Sequence, residues 1–278
     1  MVFYNYAICR RLCKPNKANG KAAATDELPT VDHEEAHREL QNYIATLRML
    51  NVDVIELGPE TDLQYESVFI GDLAVIINGM VLLCRPLHRH KEVEDIKRVI
   101  TKEIGMPIVE IQDEDAILNG GDVLFTGKEI FIGLSSHTNE AGARAVAVAF
   151  PEFPVTPVKV PPINSMRLKS HITMAGPNIL CAGRSHEIEK MLHRMEREAS
   201  QRYHLIRVDD DPAANVLYVN GTLLHRDDYP KSFSIFQDRI DYSRVPVKIT
   251  ELCKNHPRYG LDSLCLLLRK SKRIQTIV

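Results

Sequence analysis

The sequence predicts an α/β chain of about five repeats, each a hairpin followed by a helix and a strand, closed into a ring. Three observations point there. Amphipathic helical patterns return at a spacing of roughly 40–55 residues, a period typical of propellers and arrays. Each is followed by a short turn and a β-branched apolar run, and between these couples lie pairs of strand-like runs joined by Gly- or Asn-containing turns. The same pattern also fits an open α/β sheet of two domains.

Taken in order, Phe3–Ile8 is strand-like and awaits a partner. Apolar residues at i, i+3 and i+4 predict a helix over about 33–50, and the strand 52–57 follows it. The runs 68–76 and 80–86 turn at Asn78-Gly79, before a helix over 91–104 and a strand at 107–112. Residues 120–134 form a hairpin around Thr126-Gly127, then a helix over 138–149 and a strand at 154–160. A hairpin over 171–183 turns at Gly176-Pro177, then come a helix at 185–196 and a strand at 204–208. The runs 215–219 and 222–226 turn at Asn220-Gly221, with a helix at 232–240 and a strand at 245–249. Tight hairpins need positive φ, which Asn and Gly supply cheaply. The last run, 261–268, can pair with Phe3–Ile8, complete the first unit and hide its edge.

Among 278 residues, 35 Lys and Arg against 37 Asp and Glu leave a formal charge of −2, so bulk nucleic-acid binding is not expected. Six cysteines (Cys9, Cys13, Cys84, Cys181, Cys253, Cys265) show neither a disulfide framework nor repeated C-x2-C zinc spacing, so reduced thiols and no metal are expected. The basic N-terminus lacks the apolar core of a signal peptide, no run approaches a membrane span, and a cytoplasmic location is expected. The basic tail Arg269–Arg273 reads as a solubilising end to the last strand.

Local signals for chemistry are few. Asn119-Gly120-Gly121-Asp122 precedes a strand rather than a helix, so it reads as a tight bend where two backbones approach, not as a phosphate cradle. Cys265 lies in an apolar run, where a free cysteine is usually a small buried hydrophobe. His88-Arg89-His90-Lys91 opens a helix, where cations oppose the dipole and ordinarily face water. Lys169-Ser170-His171 opens a strand run with no local carboxylate to orient the histidine as a base.

Several stretches together resemble the dimethylarginine dimethylaminohydrolase family: Glu66–Val75, Asp113–Gly127, Phe131–Ser135 with Thr138-Asn139, Arg167–Ser170 with Met174–Asn178, Leu224–Arg226 and Leu261–Leu266. The resemblance runs in order over about 33–268, with 1–30 and 270–278 peripheral to one domain spanning 1–278. It implies a pentein fold, a five-bladed α/β propeller of ββαβ modules around a central channel. It also implies a cofactor-free hydrolysis belonging to arginine metabolism and nitric oxide regulation. A Cys thiolate attacks the guanidinium carbon of a methylated arginine, and a His protonates the departing methylamine or dimethylamine. The same His then activates water against the thiouronium, giving citrulline.

Carried over by residue, the resemblance puts Asp72 at the guanidinium-binding aspartate, Phe69 at an aromatic pocket wall and Arg89 at a carboxylate-binding arginine. Gly71 and Asn119 stand where the family has acids, and His137 where it has a second substrate-binding arginine. Arg167 occupies the position of the general acid/base His, and arginine holds its proton far above neutral pH. Cys265 is the nucleophile candidate, but one register of the motif places Leu264 there instead. A one-residue shift reverses a strand side chain's face.

Two readings follow from these residues. One is a working hydrolase on methylated arginine or a related small guanidino compound, with Cys265 as nucleophile, Asp72 gripping the substrate and His171 as a weak substitute base. The other is a catalytically inactive paralogue that keeps the fold and a modified pocket and acts by binding a small molecule or a protein partner.

Overall fold

The computed structural model describes residues 3–13, 29–60, 64–162 and 166–270. The chain opens with β1 (Tyr6–Arg10), α1 (His33–Met49) and β2 (Asp53–Leu57). The next module is β3 (Ala74–Ile77), β4 (Met80–Leu83), α2 (His90–Val99) and β5 (Ile108–Val109). It is followed by β6 (Val123–Phe125), β7 (Ile130–Leu134), α3 (Glu140–Ala149) and β8 (Val155–Lys159). A short α4 (Leu168–His171) leads into β9 (Ile172–Gly176), β10 (Ile179–Ala182), α5 (His186–Glu198) and β11 (His204–Arg207). Then come β12 (Leu217–Val219), β13 (Thr222–Arg226), α6 (Pro230–Arg239) and β14 (Ser243–Val247), and finally α7 (Thr250–Cys253) and β15 (Cys265–Leu268).

Local chemistry accounts for these elements. Asp32 caps α1 by accepting from the Glu34 and Glu35 amides, and Asn139 caps α3 by accepting from Gly142 N. In α5 the stripe Ile188, Met191, Leu192 and Met195 faces its sheet. The hairpin turns at Asn78-Gly79 and Asn220-Gly221 place both residues at positive φ, the type I′ geometry that Asn-Gly favours.

Among the described residues the strands form five three-stranded sheets, each an antiparallel pair with a third strand added in parallel. Sequence order holds in four. In the fifth, β15 pairs antiparallel with β1, Cys9 opposite Cys265, and β1 pairs parallel with β2. The C-terminal strand thus completes the first module and closes a five-module α/β propeller-like ring. The strands β3, β6, β9, β12 and β15, each a sheet edge, line a central channel. One helical turn precedes every one of them: Ile70–Asp72, Gly120–Asp122, α4, Asp211–Ala214 and Leu261–Ser263. These turns carry Asp72, Asp122, Lys169 and Asp262.

Three expected elements differ. The 91–104 helix leaves α geometry at Ile100 for a π turn that ends at Gly105 in the left-handed region. Lys169–His171 is helical rather than strand, because the Ser170 hydroxyl accepts from the Arg167 amide and closes a turn. In 261–268 the strand begins only at Cys265, since Leu261–Ser263 is a turn packed on Gly71. No helix among the described residues is long and apolar enough to cross a membrane. The basic tail beyond Lys270 lies outside the described residues.

Candidate functional site

The Gly120 bend forms where sequence reasoning put it, and it shows why glycine is needed. A Cβ there would lie 2.2 Å from the Gly71 carbonyl oxygen, and one at Gly71 would lie 2.9 Å from the Ser263 Cα. The three helical turns therefore stack backbone on backbone, which brings Asp72, Asn119 and Asp122 to one end of the channel.

Asp72 is 2% exposed and sits between two guanidiniums. Arg167 Nη1 donates to its Oδ1, and Arg89 Nη1 lies 3.9 Å from its Oδ2. Arg89 also forks onto Glu92 at 2.6 and 2.9 Å, and Glu92 lies 3.9 Å from Arg10 Nε. Signs thus alternate along Arg167, Asp72, Arg89, Glu92 and Arg10, so each buried charge faces its opposite. Arg89 does not face water as its position at a helix start suggested. It caps α2 in the left-handed region at φ 75°, which turns its side chain inward, where Nη1 donates to the Phe69 carbonyl at 2.9 Å. Burial alone would weaken its charge, but the Glu92 pair more than reverses this and raises its pKa.

Arg167 fills the space beside Asp72. Besides Asp72 it reaches Asn119 Oδ1 at 3.4 Å and donates to the Arg258 carbonyl at 2.9 Å. Its guanidinium carbon stands 4.2 Å from the centre of the Tyr259 ring. Tyr259 stacks on Phe69 with centroids 4.0 Å apart and planes 2° from parallel, and its hydroxyl donates to Glu66 at 2.8 Å. Arg258 binds the same carboxylate oxygen at 2.7 Å. Glu66, Arg258, Tyr259 and His256, whose ring meets Phe69 edge-on at 5.9 Å, thus belong to the site although sequence reasoning assigned them no role. The loop 254–260 carries no periodicity or motif, so no local signal marks it.

Asp122 is fully buried and accepts from Ser135 Oγ at 2.6 Å, Thr138 Oγ1 at 2.8 Å and Leu168 N at 2.9 Å. Burial dominates these bonds and pushes its pKa up to about 6. His137 joins this periphery through its amide, which donates to Ser135 Oγ at 2.9 Å.

Cys265 and His171 do not join the cluster. Cys265 points toward α1, where Tyr43 Oη donates to Sγ at 3.1 Å, and it packs in the core that also holds Cys9. Burial drives its thiol pKa to about 12, with the Tyr43 hydrogen bond a smaller opposing effect. His171 ends α4, and burial lowers its pKa, partly offset by the Asp211 backbone. Among the described residues no hydrogen bond links Cys265 to a histidine. Nor do three or more His, Cys, Asp or Glu there gather into a metal-sized cluster.

Comparison with known proteins places this geometry in context. Residues 14–175 match the family model described as "N,N dimethylarginine dimethylhydrolase, eukaryotic". The DDAH2 protein of Bos taurus is 37% identical over 263 residues, covering 90% of both chains. A structure of DDAH from Pseudomonas aeruginosa complexed with citrulline superposes with a TM-score of 0.76 at 22% identity, covering 96% of this chain and 100% of that one. The substrate-bound N-terminal domain of ArgZ, an arginine dihydrolase from cyanobacteria, gives 0.73 at 16% identity, covering 94% and 97%.

Proposed function

This chain belongs to the dimethylarginine dimethylaminohydrolase family, and from that premise we propose that it is a member in which hydrolysis of methylated arginine is silent and a single domain over 1–278 acts by binding. The observation that carries the reading is the guanidinium of Arg167. It occupies the Asp72 carboxylate, 2% exposed and stacked on Tyr259, in the position a substrate guanidinium would need. An external methylarginine must displace a tethered copy of its own recognition group, with no gain in the number of charge-assisted bonds to Asp72.

The chemical groups support the same conclusion. A thiol with a pKa of about 12 is ionised to about one part in 10⁵ at pH 7, and thiolate is the species that attacks carbon. Arginine in the acid/base position neither takes the water proton nor delivers one to an amine near neutral pH. General acid/base catalysis is typically worth about 10²–10⁴ in rate, so its loss alone suppresses turnover by that factor. His171 as a substitute base gains no support, because its ring lies toward the Asp211 turn.

The test is citrulline release from asymmetric dimethylarginine, comparing the unmodified protein, Cys265→Ala, and the double variant Arg167→His with Asn119→Asp. We expect no release from the unmodified protein. Release that disappears in Cys265→Ala would overturn the proposal and establish a hydrolase with an unrecognised base.

A further inference from the structure

The opposite half of the channel has a different character. The stacked turns at Gly71 and Gly120 form its floor, and beyond them a cavity of about 460 Å³ opens between the five inner strands. Volumes of this size are typical of small-molecule sites. Every inner strand contributes apolar side chains that its neighbours leave partly uncovered: Ile76, Phe125, Met174, Leu217 with Tyr218, and Leu267. Buried side chains in the same strands are covered by adjacent modules. The partly uncovered side chains pack against the module cores on one side and give the pocket an apolar wall on the other.

The floor carries a charge pair. Lys169 Nζ lies 2.9 Å from Asp262 Oδ2. The Asp262 carboxylate is otherwise occupied, accepting from Asn215 Nδ2 and, at 3.2 Å, from Ser263 Oγ. An ammonium has three N–H donors, and among the described residues Asp262 is the carboxylate that pairs with Lys169. The floor therefore offers spare N–H donors on Lys169 beside a carboxylate that already accepts three hydrogen bonds. Lys128 lines the cavity too and adds a second cation.

We propose that this half of the channel is a binding site for a small monocarboxylate with an apolar body. The carboxylate accepts from the spare N–H groups of Lys169, and the body lies against the ring of Ile76, Phe125, Met174, Leu217 and Leu267. An ammonium head faces the like charge of Lys169 and competes with it for Asp262, and a hydroxyl head takes one weaker bond in place of a charge-assisted one. This site lies across the glycine floor from Asp72, and Cys265 is among the residues that line it.

The chain contains no tryptophan, so Phe125→Trp places a single reporter in the ring. Octanoate, octylamine and octanol are titrated against that variant by fluorescence and against the unmodified protein by calorimetry. Octanoate is expected to saturate in both, with octanol at least tenfold weaker and octylamine silent. Lys169→Met is expected to weaken octanoate at least tenfold and octanol by much less. Equal affinity for all three ligands, or no saturable octanoate binding in either measurement, overturns the proposal. Should Lys169→Met not fold, the order of the three ligands on Phe125→Trp still decides the matter.

Discussion

The two halves of the channel are built from the same parts and differ in what closes them. Arg167 and Lys169 stand two residues apart around the start of α4, and each pairs with an aspartate from a helical turn before an inner strand. Arg167 and Asp72 are only 2% and 3% exposed in their side chains and are sealed by Tyr259, Phe69 and the Arg258 carbonyl. Lys169 and Asp262 keep 20% and 10% and face an open cavity. The difference teaches that a buried cation can close a site by itself when an aromatic plane and a carboxylate are both waiting, whereas the same pair beside a cavity leaves donors to spare.

That contrast is sharpest when each cation is removed. Arg167→Ala strands Asp72 in a dry site beside only Arg89, and a loss of about 3–5 kcal/mol is expected in urea unfolding. Lys169→Met leaves Asp262 with its Asn215 and Ser263 bonds and water at the cavity, and about 1 kcal/mol is expected. Equal losses would erase the distinction between the halves.

The glycine floor is the next test. Gly120→Ala drives a Cβ to 2.2 Å of a rigid carbonyl oxygen, and a loss of about 3 kcal/mol is expected from the forced backbone shift. Gly127→Ala at the opposite rim meets nothing within 4 Å and bears only the strain of φ +89°, about 1 kcal/mol. Thermal unfolding of the two variants should separate them widely.

Acidity separates the halves more gently. Asp122, with a folded pKa near 6 against an unfolded 3.8, binds its proton more tightly when folded. Its contribution is thus most favourable below pH 4 and is lost as pH rises through 6. Replacing it with Asn should flatten the dependence of the unfolding midpoint on pH between 4 and 6. An unchanged slope would show that another group titrates there.

The smallest effect concerns Cys265. With its thiol pKa raised to about 12 by burial, the native protein should leave Cys265 unmodified by iodoacetamide at pH 8, while the half-exposed Cys13 reacts. Peptide mapping after brief alkylation distinguishes them, and modification of Cys265 at a comparable rate would place a reactive thiolate back in the site.

Much of this architecture was legible in the sequence. Helix periodicity, Asn-Gly turns and the return of one pattern marked all five modules, and the pairing of the last strand with the first followed from the need to hide two edges. Phe69, Asp72, Arg89, Asn119 and Arg167 were singled out by family resemblance, and they gather in space. The inward turn of Arg89 was not legible, because it depends on one residue adopting positive φ at a helix cap. Neither was the role of Tyr259, since its loop has no pattern and acquires meaning only by stacking on Phe69, 190 positions away in the chain.

The sequence by itself determined the modules and their order, because periodicity and turn chemistry are local properties. Only the tertiary structure decided that Arg167 turns onto Asp72 and Cys265 onto Tyr43. Those directions depend on which helical turns stack across the glycine floor and which face of β15 meets α1. Contacts between segments 95 and 222 positions apart settle them, and no local pattern encodes such contacts.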